Sequence, residues 1–332
     1  MAAAEPPAYG GAAFADPNYN GSCDPEVVWN SAAGEWWAFY TGRRATREQG
    51  TYVGNPIGVA ASKDLRTWRF VGYCSFDGVK GKPDNPDTRW APGVVRLGDA
   101  FHMYVTYKDS ARPPWGGKGR IRHYVAPVVD LLDGWSEVAP PDFPQPDPID
   151  ATLLVVGEEL RAYYRVGKGG GIQWSSCPAS STGSIAGPWT HHGKCPGDVN
   201  KRSVHGHNYQ EAPYAFRLSG AYWLITDPHA GLAVYRSEDA VTWTYQGLIL
   251  DEPGSRPQDG TLARHPSVAV SGDRAVLVYH VEPNRPYPTP PAEQRTVRQK
   301  LSYLQVAELA VVDGKLNCDR DKPVEPVPPP AD

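Results

Sequence analysis

The segment EAPYAFRLSGAYWLITD, residues 211–227, consists of two runs of strand-favouring residues on either side of a glycine. Aromatic and β-branched side chains favour strands, and a glycine between two such runs is the signature of a β-hairpin. The segment begins with Glu211, a carboxylate placed directly before an apolar run. An unpaired carboxylate is costly to bury, so Glu211 must be paired, solvated or held in place for chemistry.

The same hairpin pattern occurs in four other parts of the chain. These segments are DPEVVWNSAAGEWWAFYTG from Asp24, WAPGVVRLGDAFHMYVTY from Trp90, DATLLVVGEELRAYYR from Asp150 and HPSVAVSGDRAVLVYH from His265. The turn glycines of the five copies are Gly34, Gly98, Gly157, Gly220 and Gly272, which lie 64, 59, 63 and 52 residues apart. Recurrence at a nearly even spacing is typical of repeat architectures.

Further strands follow the hairpins. Residues 57–72 (IGVAASKDLRTWRFVG) and 231–247 (GLAVYRSEDAVTWTYQG) share a strand, a Ser-x-Asp turn, a Trp and a second strand. A unit of about four strands is one propeller blade, which cannot bury both faces unless copies stack around an axis. Five copies therefore predict an all-β, five-bladed β-propeller with about four antiparallel strands per blade. The alternative is a β-sandwich whose hairpins are alike by chance.

The chain is expected to form one domain. Its 332 residues are normal for a large all-β fold, and the 11 Trp, 18 Tyr, 34 Gly and 34 Pro indicate short strands joined by tight turns. The Pro-rich residues 139–148 are interpreted as a loop between blades. We expect order over about residues 15–320 and a disordered tail at residues 321–332.

Charge and hydropathy argue against two classes of partner. The formal net charge is -4, so no broad basic surface favours nucleic acid, and no apolar run approaches the roughly 20 residues of a membrane-spanning helix. The start MAAAEPPAYGG has neither the charged nor the apolar region of a signal peptide. Cytoplasmic location and secretion with a removed signal both stay open, as does the oligomeric state.

The five cysteines show no CxxC spacing, which argues against a zinc or redox motif. Cys177 and Cys195 flank a Gly/Ser/Pro-rich loop and are a candidate disulfide, although the odd count leaves at least one thiol free.

Three carboxylates begin inner strands of the predicted propeller. The first strand of each blade lines the central channel, so Asp24, Asp150 and Glu211 should meet at one mouth beside Trp90 and His265. Crowded carboxylates raise each other's pKa, which suits general acid/base chemistry with one protonated and one ionised group. Hydrolysis of a glycosidic bond typically uses two carboxyl groups placed on opposite sides of that bond.

On these motifs the chain resembles, over roughly residues 15–320, the clan of five-bladed β-propeller glycoside hydrolases that includes glycoside hydrolase family 43. The matching motifs are Asp24-Pro25, Trp90-Ala91-Pro92, Asp150 in PIDATLL and Glu211-Ala212-Pro213. The resemblance implies that Asp24 is the general base, that Glu211 is the general acid, and that Asp150 orients Glu211 and keeps it protonated. It implies hydrolysis with inversion, with the Asp24 and Glu211 carboxyls about 6.5–9.5 Å apart.

The resemblance also implies a carbohydrate substrate, an arabinofuranoside or a xyloside of a plant or microbial polysaccharide. The candidate substrate-binding residues are Arg89, Trp90, His207, Arg264 and His265. Trp90 either stacks on the apolar face of a sugar ring or packs in the core. His207 is placed to hydrogen-bond substrate or Glu211, whereas His229 is interpreted as a loop contact.

No cofactor is expected for the chemistry, but the resemblance implies a structural calcium in the central channel near His265. Calcium prefers oxygen ligands, so an imidazole is an unusual direct partner, and His265 is also interpreted as a water or substrate contact.

Several alternatives stay open. Asp24 and Asp150 could be turn residues, and Glu211 could pair with Arg202 or Arg217. Ala212 stands where the family usually has Gly, and some related propeller hydrolases use a His as the acid. A lyase or a transglycosidase, the latter with carboxyls about 5–5.5 Å apart, is a further alternative. So is a propeller that binds carbohydrate without catalysis.

If a His is the acid, His207 or His265 takes the role assigned to Glu211.

Overall fold

The computed structural model describes residues 13–179, 188–201 and 209–330. Its 20 strands form five four-stranded antiparallel sheets, and within each sheet the strands lie side by side in sequence order. Each sheet is one blade, which confirms the predicted five-bladed β-propeller. Each α-helix of the described ranges, Gly167–Gly170 and Val297–Lys300, has only four residues. No helix there is therefore long and apolar enough to cross a membrane.

The strand bounds follow the five sequence repeats. Blade 1 contains β1 (Ser22–Asn30), β2 (Glu35–Gly42), β3 (Ile57–Ser62) and β4 (Arg69–Tyr73). Blade 2 contains β5 (Thr88–Leu97), β6 (Ala100–Lys108), β7 (Gly119–Pro127) and β8 (Ser136–Val138). Blade 3 contains β9 (Pro148–Val156), β10 (Glu159–Val166), β11 (Ile172–Pro178) and β12 (Thr190–Lys194). Blade 4 contains β13 (Glu211–Leu218), β14 (Ala221–Asp227), β15 (Leu232–Ser237) and β16 (Thr244–Ile249). Blade 5 contains β17 (Arg264–Ser271), β18 (Arg274–Val281), β19 (Tyr303–Val312) and β20 (Lys315–Cys318).

The first turn of every blade contains the glycine that the repeat predicts. Gly34, Gly98, Gly157, Gly220 and Gly272 all have φ between +58° and +81°. Glycine adopts this left-handed conformation without the steric cost that a Cβ imposes, so it allows the tight hairpin. The five hairpins thus follow from local backbone chemistry.

The Ser-x-Asp turns of blades 1 and 4 are also built alike. Asp64 Oδ1 accepts the backbone N–H groups of residues 66 and 67, and Asp239 Oδ1 accepts those of residues 241 and 242. The carboxylate therefore replaces missing backbone partners in the turn. Trp68 and Trp243, which follow these turns, are buried as expected of blade-packing residues.

The hydrophobic core consists of five layers, one between each pair of neighbouring blades. Both faces of every blade are thereby covered. Cys177 lies in the layer between blades 2 and 3, and Cys195 in the layer between blades 3 and 4. Both thiols are free and buried, so the predicted disulfide is wrong. The cysteines come from opposite faces of blade 3 and point away from each other.

Both ends of the described chain close the ring between blades 5 and 1. The N–H groups of Ala13 and Phe14 both donate to the carbonyl oxygen of Leu304 in β19. At the other end, Val324 and Val327 are buried in the layer between these two blades. The tail for which we expected disorder is described as far as residue 330. Two valines spaced three apart bury apolar surface there, and the prolines around them leave few N–H groups to satisfy.

Candidate active site

Each inner strand carries a β-bulge near its start, at the same end of the propeller. The register with the second strand shifts there in all five blades. The residues with positive φ at these bulges are Asp24 (50°), Ala91 (42°), Asp150 (56°), Ala212 (49°) and His265 (46°). A bulge re-aims a side chain out of the strict alternation of a strand. The left-handed conformation costs about 1–3 kcal/mol for a residue other than glycine, so surrounding contacts must hold it.

Those contacts form a ring of hydrogen bonds from blade to blade. The bulge N–H groups of Ala91, Asp150, Ala212, His265 and Asp24 each donate to a side chain of the preceding blade. The acceptors, in the same order, are Thr41 (2.8 Å), Thr106 (3.0 Å), Asp150 (3.3 Å), Asp227 (3.2 Å) and His280 (3.2 Å). The last bond joins blade 1 to blade 5 and closes the ring.

Blade 3 is the exception in this ring. Thr41, Thr106 and His280 lie near the end of a second strand, where blade 3 has Arg165, which offers no acceptor. The Asp150 carboxylate from the inner strand accepts the Ala212 N–H instead. Asp150 is therefore tied directly to the residue that follows Glu211.

Asp24 is buried beside one arginine and two histidines. Its Oδ1 atom lies 3.2 Å from Arg43 Nη2, 3.3 Å from His265 Nδ1 and 3.6 Å from His280 Nδ1. Burial acts to raise the pKa of Asp24, but the Arg43 guanidinium and then His265 outweigh it, so the pKa is lowered. Asp24 is thus held as a carboxylate.

Glu211 contacts three side chains. Tyr209 donates its hydroxyl to Oε2 at 2.5 Å, while Oε1 lies 2.6 Å from His229 Nε2 and 3.4 Å from Arg264 Nη2. Burial acts to raise the pKa of Glu211, but His229 and then Arg264 outweigh it and hold the pKa well below its usual range. This result is opposite to the sequence-based expectation that Asp150 keeps Glu211 protonated.

Asp150 shows the raised pKa that was expected of Glu211. Burial raises its pKa to about 7; His265 acts in the opposite direction, and the carboxylates of Glu211 and Asp24 add to the rise. The reversal has a simple cause, because Glu211 has cationic partners at contact distance whereas Asp150 accepts a backbone N–H. Of the three acids, Asp150 is therefore the one that keeps a proton to the highest pH.

An ion-pair network links the two ends of the site. Arg43 contacts both Asp24 and Glu282, the latter at 3.3 Å between Nη1 and Oε1. Arg264 contacts Glu211 and reaches Glu282 Oε2 at 3.8 Å. The network runs Asp24, Arg43, Glu282, Arg264, Glu211, so an opposite charge lies between each pair of like charges.

Two more side chains complete this network. Asp227 Oδ2 accepts a hydrogen bond from Arg264 Nε at 2.7 Å, and Arg285 pairs with Glu282. The three arginines therefore have carboxylate partners, which is the arrangement that makes buried charges tolerable.

Sequence reasoning missed Arg43, Glu282 and Arg285, and it interpreted His229 only as a loop contact. The available signal was the hairpin itself, since a second strand returns to the end where the first began. Glu211 pairs with Asp227, and Arg264 with His280. Residues just after β2, β14 and β18 must therefore lie near the mouth, and the missed residues occupy those positions.

The predicted substrate-binding residues have different outcomes. Arg264 and His265 lie at the mouth, as described above. Trp90 is half-buried: its Nε1 donates to Tyr52 O and Asn55 Oδ1, both at 3.0 Å, and Lys108 Nζ lies 4.9 Å from its ring centroid. Trp90 thus packs in part, and its role toward a sugar stays a prediction.

Arg89 is not brought to the mouth. Its side chain is buried, its guanidinium lies 4.2 Å from the centre of the Phe76 ring, and its Nη2 pairs with Asp87 Oδ2 at 3.2 Å. Successive side chains of a strand point to opposite faces, so Arg89 points away from the side of Trp90. This placement does not support a substrate contact by Arg89, whose role toward a sugar stays a prediction.

Other predicted contacts can be placed in the same way. His207, His205 and Arg202 lie outside the described residues. Arg217 is exposed and lies over the Tyr222 ring at 5.8 Å, so the alternative in which it pairs with Glu211 is wrong. Arg264 takes that role.

The described residues around His265 do not fit the calcium site that the family resemblance implies. The carboxylate oxygen nearest to His265 Nδ1 is Asp24 Oδ1, which also faces the Arg43 guanidinium. Calcium needs six to eight oxygen ligands, and a cation would be repelled by this arginine. Glu211, Asp227 and His229 cluster closely enough to hold a metal ion, but Arg264 already supplies positive charge to both carboxylates.

The fold and the three acidic side chains agree with the family that the sequence motifs resemble, and a family model tests this resemblance directly. The model of the family "Glycosyl hydrolases family 43" matches residues 46–281. The chain belongs to this family and is a glycoside hydrolase. No curated protein sequence gives a significant match.

Solved structures of similar fold agree with this assignment. A thermostable family-43 glycoside hydrolase matches with a TM-score of 0.62 and 17% identity, covering 95% of this chain and 99% of that one. The α-L-arabinofuranosidase from Lactobacillus brevis matches with a TM-score of 0.60 and 16% identity, over 95% and 98%. A β-xylosidase/α-arabinofuranosidase from a compost microbial metagenome, in complex with xylotriose, matches with a TM-score of 0.62 and 16% identity, over 92% and 97%. At these identities the likeness establishes the fold.

Proposed function

We propose that the protein hydrolyses a glycosidic bond with inversion, with Asp24 as general base, Glu211 as general acid and Asp150 as the modulator of the acid. The observation that carries the proposal is electrostatic. Asp150 interacts with both Asp24 and Glu211, three acids from three blades, and its pKa is raised while that of Asp24 is lowered. Environments that push the pKa values of neighbouring carboxyls apart are typical of acid/base sites. Here the separated pair is Asp24 and Asp150, so Glu211 must gain its proton when substrate binds.

The reaction balances as a single displacement. Asp24 takes a proton from water as the water oxygen bonds to the anomeric carbon from one face. The bond from that carbon to the leaving oxygen breaks on the other face, and Glu211 gives its proton to this oxygen. Afterwards Asp24 loses its proton and Glu211 regains one through solvent, which restores the starting state.

Glu211 must be protonated at the moment of reaction. In the substrate-free site, its close contacts with His229 and Arg264 favour the ionised form. A sugar whose leaving oxygen reaches Glu211 excludes water and weakens the His229 contact, and both changes raise the pKa of Glu211. Asp150 then opposes ionisation of Glu211, as the resemblance to family 43 implies.

The proposed substrate is a carbohydrate with an arabinofuranosyl or xylosyl residue at the bond to be cleaved. Support comes from the similar structures, which include an arabinofuranosidase, a β-xylosidase/α-arabinofuranosidase and an exo-1,5-α-L-arabinanase, and from structures bound to xylose and xylotriose. The half-exposed Trp90 offers an apolar ring near the mouth, which suits one face of a sugar.

A hydrolysis screen tests the proposal. Wild type, Asp24→Asn and Glu211→Gln are compared on p-nitrophenyl glycosides and on arabinan, xylan and galactan oligosaccharides. Glu238→Gln, an exposed glutamate on the same blade, is the matched control. We expect wild type and the control to release sugar, and both site variants to lose kcat by 10²-fold or more on oligosaccharides.

Proton NMR of the first product identifies its anomeric configuration. Inversion supports the proposal, whereas retention indicates a double displacement or a transglycosidase. Equal release by wild type and Glu211→Gln would move the acid to a histidine such as His229 or His265. Sugar binding without release by any protein would indicate a binding propeller.

A further inference from the structure

A large cavity opens on the Glu211 side of the site. Its volume is about 770 Å³, and two of the side chains that contact Glu211 at its carboxylate, His229 and Arg264, are part of its wall. Tyr209, the third side chain on Glu211, is part of the wall as well. The rest of the wall comes from Pro228, Ala230, Leu248 and from residues within 251–262 and 282–289. Among the described residues of this wall, none contacts the Asp24 carboxylate, whose partners are Arg43, His265 and His280.

This position determines what the cavity receives, given the proposed function. A general acid contacts the leaving oxygen, so the group attached to that oxygen extends past Glu211 and away from the base. The cavity therefore receives the leaving group, and the sugar ring lies toward Asp24. A volume within the roughly 300–1,000 Å³ of small-molecule sites is enough to enclose a group larger than methyl.

The wall of the cavity is poor in hydrogen-bonding groups. Its apolar residues include four prolines and two leucines: Pro228, Pro253, Pro286, Pro288, Leu248 and Leu262. Proline has no N–H, so these segments lack donors that would replace water around a sugar hydroxyl. Moving a hydroxyl group out of water costs free energy when no new hydrogen-bond partner replaces the water.

The arginines of the wall are already paired. Arg264 bonds Asp227 and Glu211, and Arg285 pairs with Glu282. Among the described residues, a leaving group inside the cavity would therefore meet mainly apolar surface. The hydroxyls of Tyr209, Thr261, Tyr287 and Thr289 are its neutral polar neighbours, and Asp251 and Glu252 are its exposed charged ones.

We propose that this cavity is a leaving-group site for an apolar aglycone, an alkyl or aryl alcohol, and that the enzyme prefers such glycosides to unmodified oligosaccharides. This inference rests on the proposed function, because it needs a glycosidase with Glu211 as acid. The preference follows from burial of apolar surface, because each buried methylene group makes binding more favourable. A sugar in the same place loses hydrogen bonds to water, which makes its binding less favourable.

The test compares substrates that share one sugar and one kind of leaving oxygen. Methyl, hexyl and 2-phenylethyl glycosides of arabinofuranose and xylose are assayed beside arabinobiose and xylobiose. We expect kcat/KM for the hexyl and phenylethyl glycosides to exceed that for the methyl glycoside at least tenfold. We also expect kcat/KM for the hexyl and phenylethyl glycosides to exceed kcat/KM for the disaccharide of the same sugar.

Two variants connect the preference to this cavity. Leu262→Asn makes the wall polar and should lower the hexyl-to-methyl ratio of kcat/KM several-fold. Thr289→Val replaces a hydroxyl by a methyl group at nearly constant volume and should raise that ratio. Val129→Asn, at an exposed valine outside the cavity, should leave it unchanged.

The outcomes separate the two proposals. Hydrolysis in which the methyl glycoside or the disaccharide is the best substrate overturns the apolar site and leaves the proposed function standing. A hexyl preference that does not change in Leu262→Asn or Thr289→Val also overturns the assignment to this cavity. Failure to hydrolyse any glycoside overturns the proposed function, and the leaving-group assignment falls with it.

Discussion

The backbone N–H of Asp24 donates to Nδ1 of His280 over 3.2 Å, so the last blade holds the residue proposed as the base in the first blade. His280 is almost fully buried. Burial, followed by Arg43 and Arg264, keeps the pKa of His280 well below its usual range, so the ring is neutral and Nδ1 can accept. One hydrogen bond therefore both joins the last blade to the first and orients Asp24.

Loss of this acceptor should affect stability and activity together. In His280→Leu, the Asp24 N–H is left buried without a partner, at a cost of about 1–3 kcal/mol in the free energy of unfolding. The left-handed Asp24 also loses its support, so kcat/KM should fall at least tenfold. Urea unfolding and steady-state kinetics measure the two effects.

Thr106→Val is the matched comparison, because it removes the equivalent bond at Asp150. Thr106→Val should lower the free energy of unfolding by about as much as His280→Leu does. An unchanged free energy of unfolding in His280→Leu would show that the ring of bonds does not hold the bulges.

Asp150 should make the protein less stable as the pH rises. Its pKa is about 7 in the fold and 3.8 as the reference value, so the folded state binds more protons between these values. Stability therefore falls as pH increases from about 4 to 7 and stays lower above that. Asp150→Asn removes this effect, since the amide cannot ionise and still accepts the Ala212 N–H.

We expect Asp150→Asn to raise the free energy of unfolding at pH 8 by roughly 2–4 kcal/mol, and by little at pH 4. Activity should fall sharply in the same variant. Urea unfolding at both pH values is the measurement. An equal change at pH 4 and pH 8 would mean that Asp150 does not carry the proton.

His229 should control the pKa of Glu211 in the free enzyme. His229 is the largest of the influences that lower this pKa, so His229→Gln should raise it by at least one unit. A carbon-13 NMR titration of side-chain carboxyls measures the change, with Glu211→Gln used to assign the resonance. Glu159→Gln, an exposed glutamate on blade 3, is the control and should leave the Glu211 titration unmoved. The same Glu211 pKa in wild type and His229→Gln would remove His229 from the proposed acid step.

The repeat of five hairpins is sufficient to predict the fold, because turn glycines and strand-favouring runs act locally. Asp24, Asp150 and Glu211 can be predicted as a group, since inner strands start at one mouth. The pKa reversal between Glu211 and Asp150 could not be predicted, because it depends on His229 and Arg264 at distances that loop conformations set. The burial of Arg89 could not be predicted from its place beside Trp90, because adjacent strand positions face opposite sides.

The C-terminal segment should contribute to thermal stability. Val324 and Val327 are buried between blades 5 and 1, and full burial of a valine stabilises by about 1.5–3 kcal/mol. The double variant Val324→Asn/Val327→Asn should melt several degrees lower in calorimetry while keeping its activity at 25 °C. Val312→Asn, at an exposed valine of β19, should melt like wild type. An unchanged melting temperature in the double variant would contradict this packing role.

Arg43 should determine the acid limit of activity. The base works only when ionised, so kcat/KM falls at low pH as Asp24 becomes protonated. Among the groups around Asp24, Arg43 lowers this pKa most, and Arg43→Met removes that guanidinium while keeping much of its apolar stem. We expect the acid limb of the kcat/KM profile to move at least one pH unit higher, with the basic limb little changed.

Arg96→Met is the control for this shift, because Arg96 is exposed on the inner strand of blade 2 and should leave both limbs in place. A second readout separates electrostatics from damage to the fold. The paired Asp24 adds stability above its unfolded pKa, which is lost as pH falls through the folded pKa, so Arg43→Met should cost more stability at pH 7 than at pH 3. If the acid limb does not move while stability falls equally at both pH values, Arg43 acts on packing, and another group must keep Asp24 ionised.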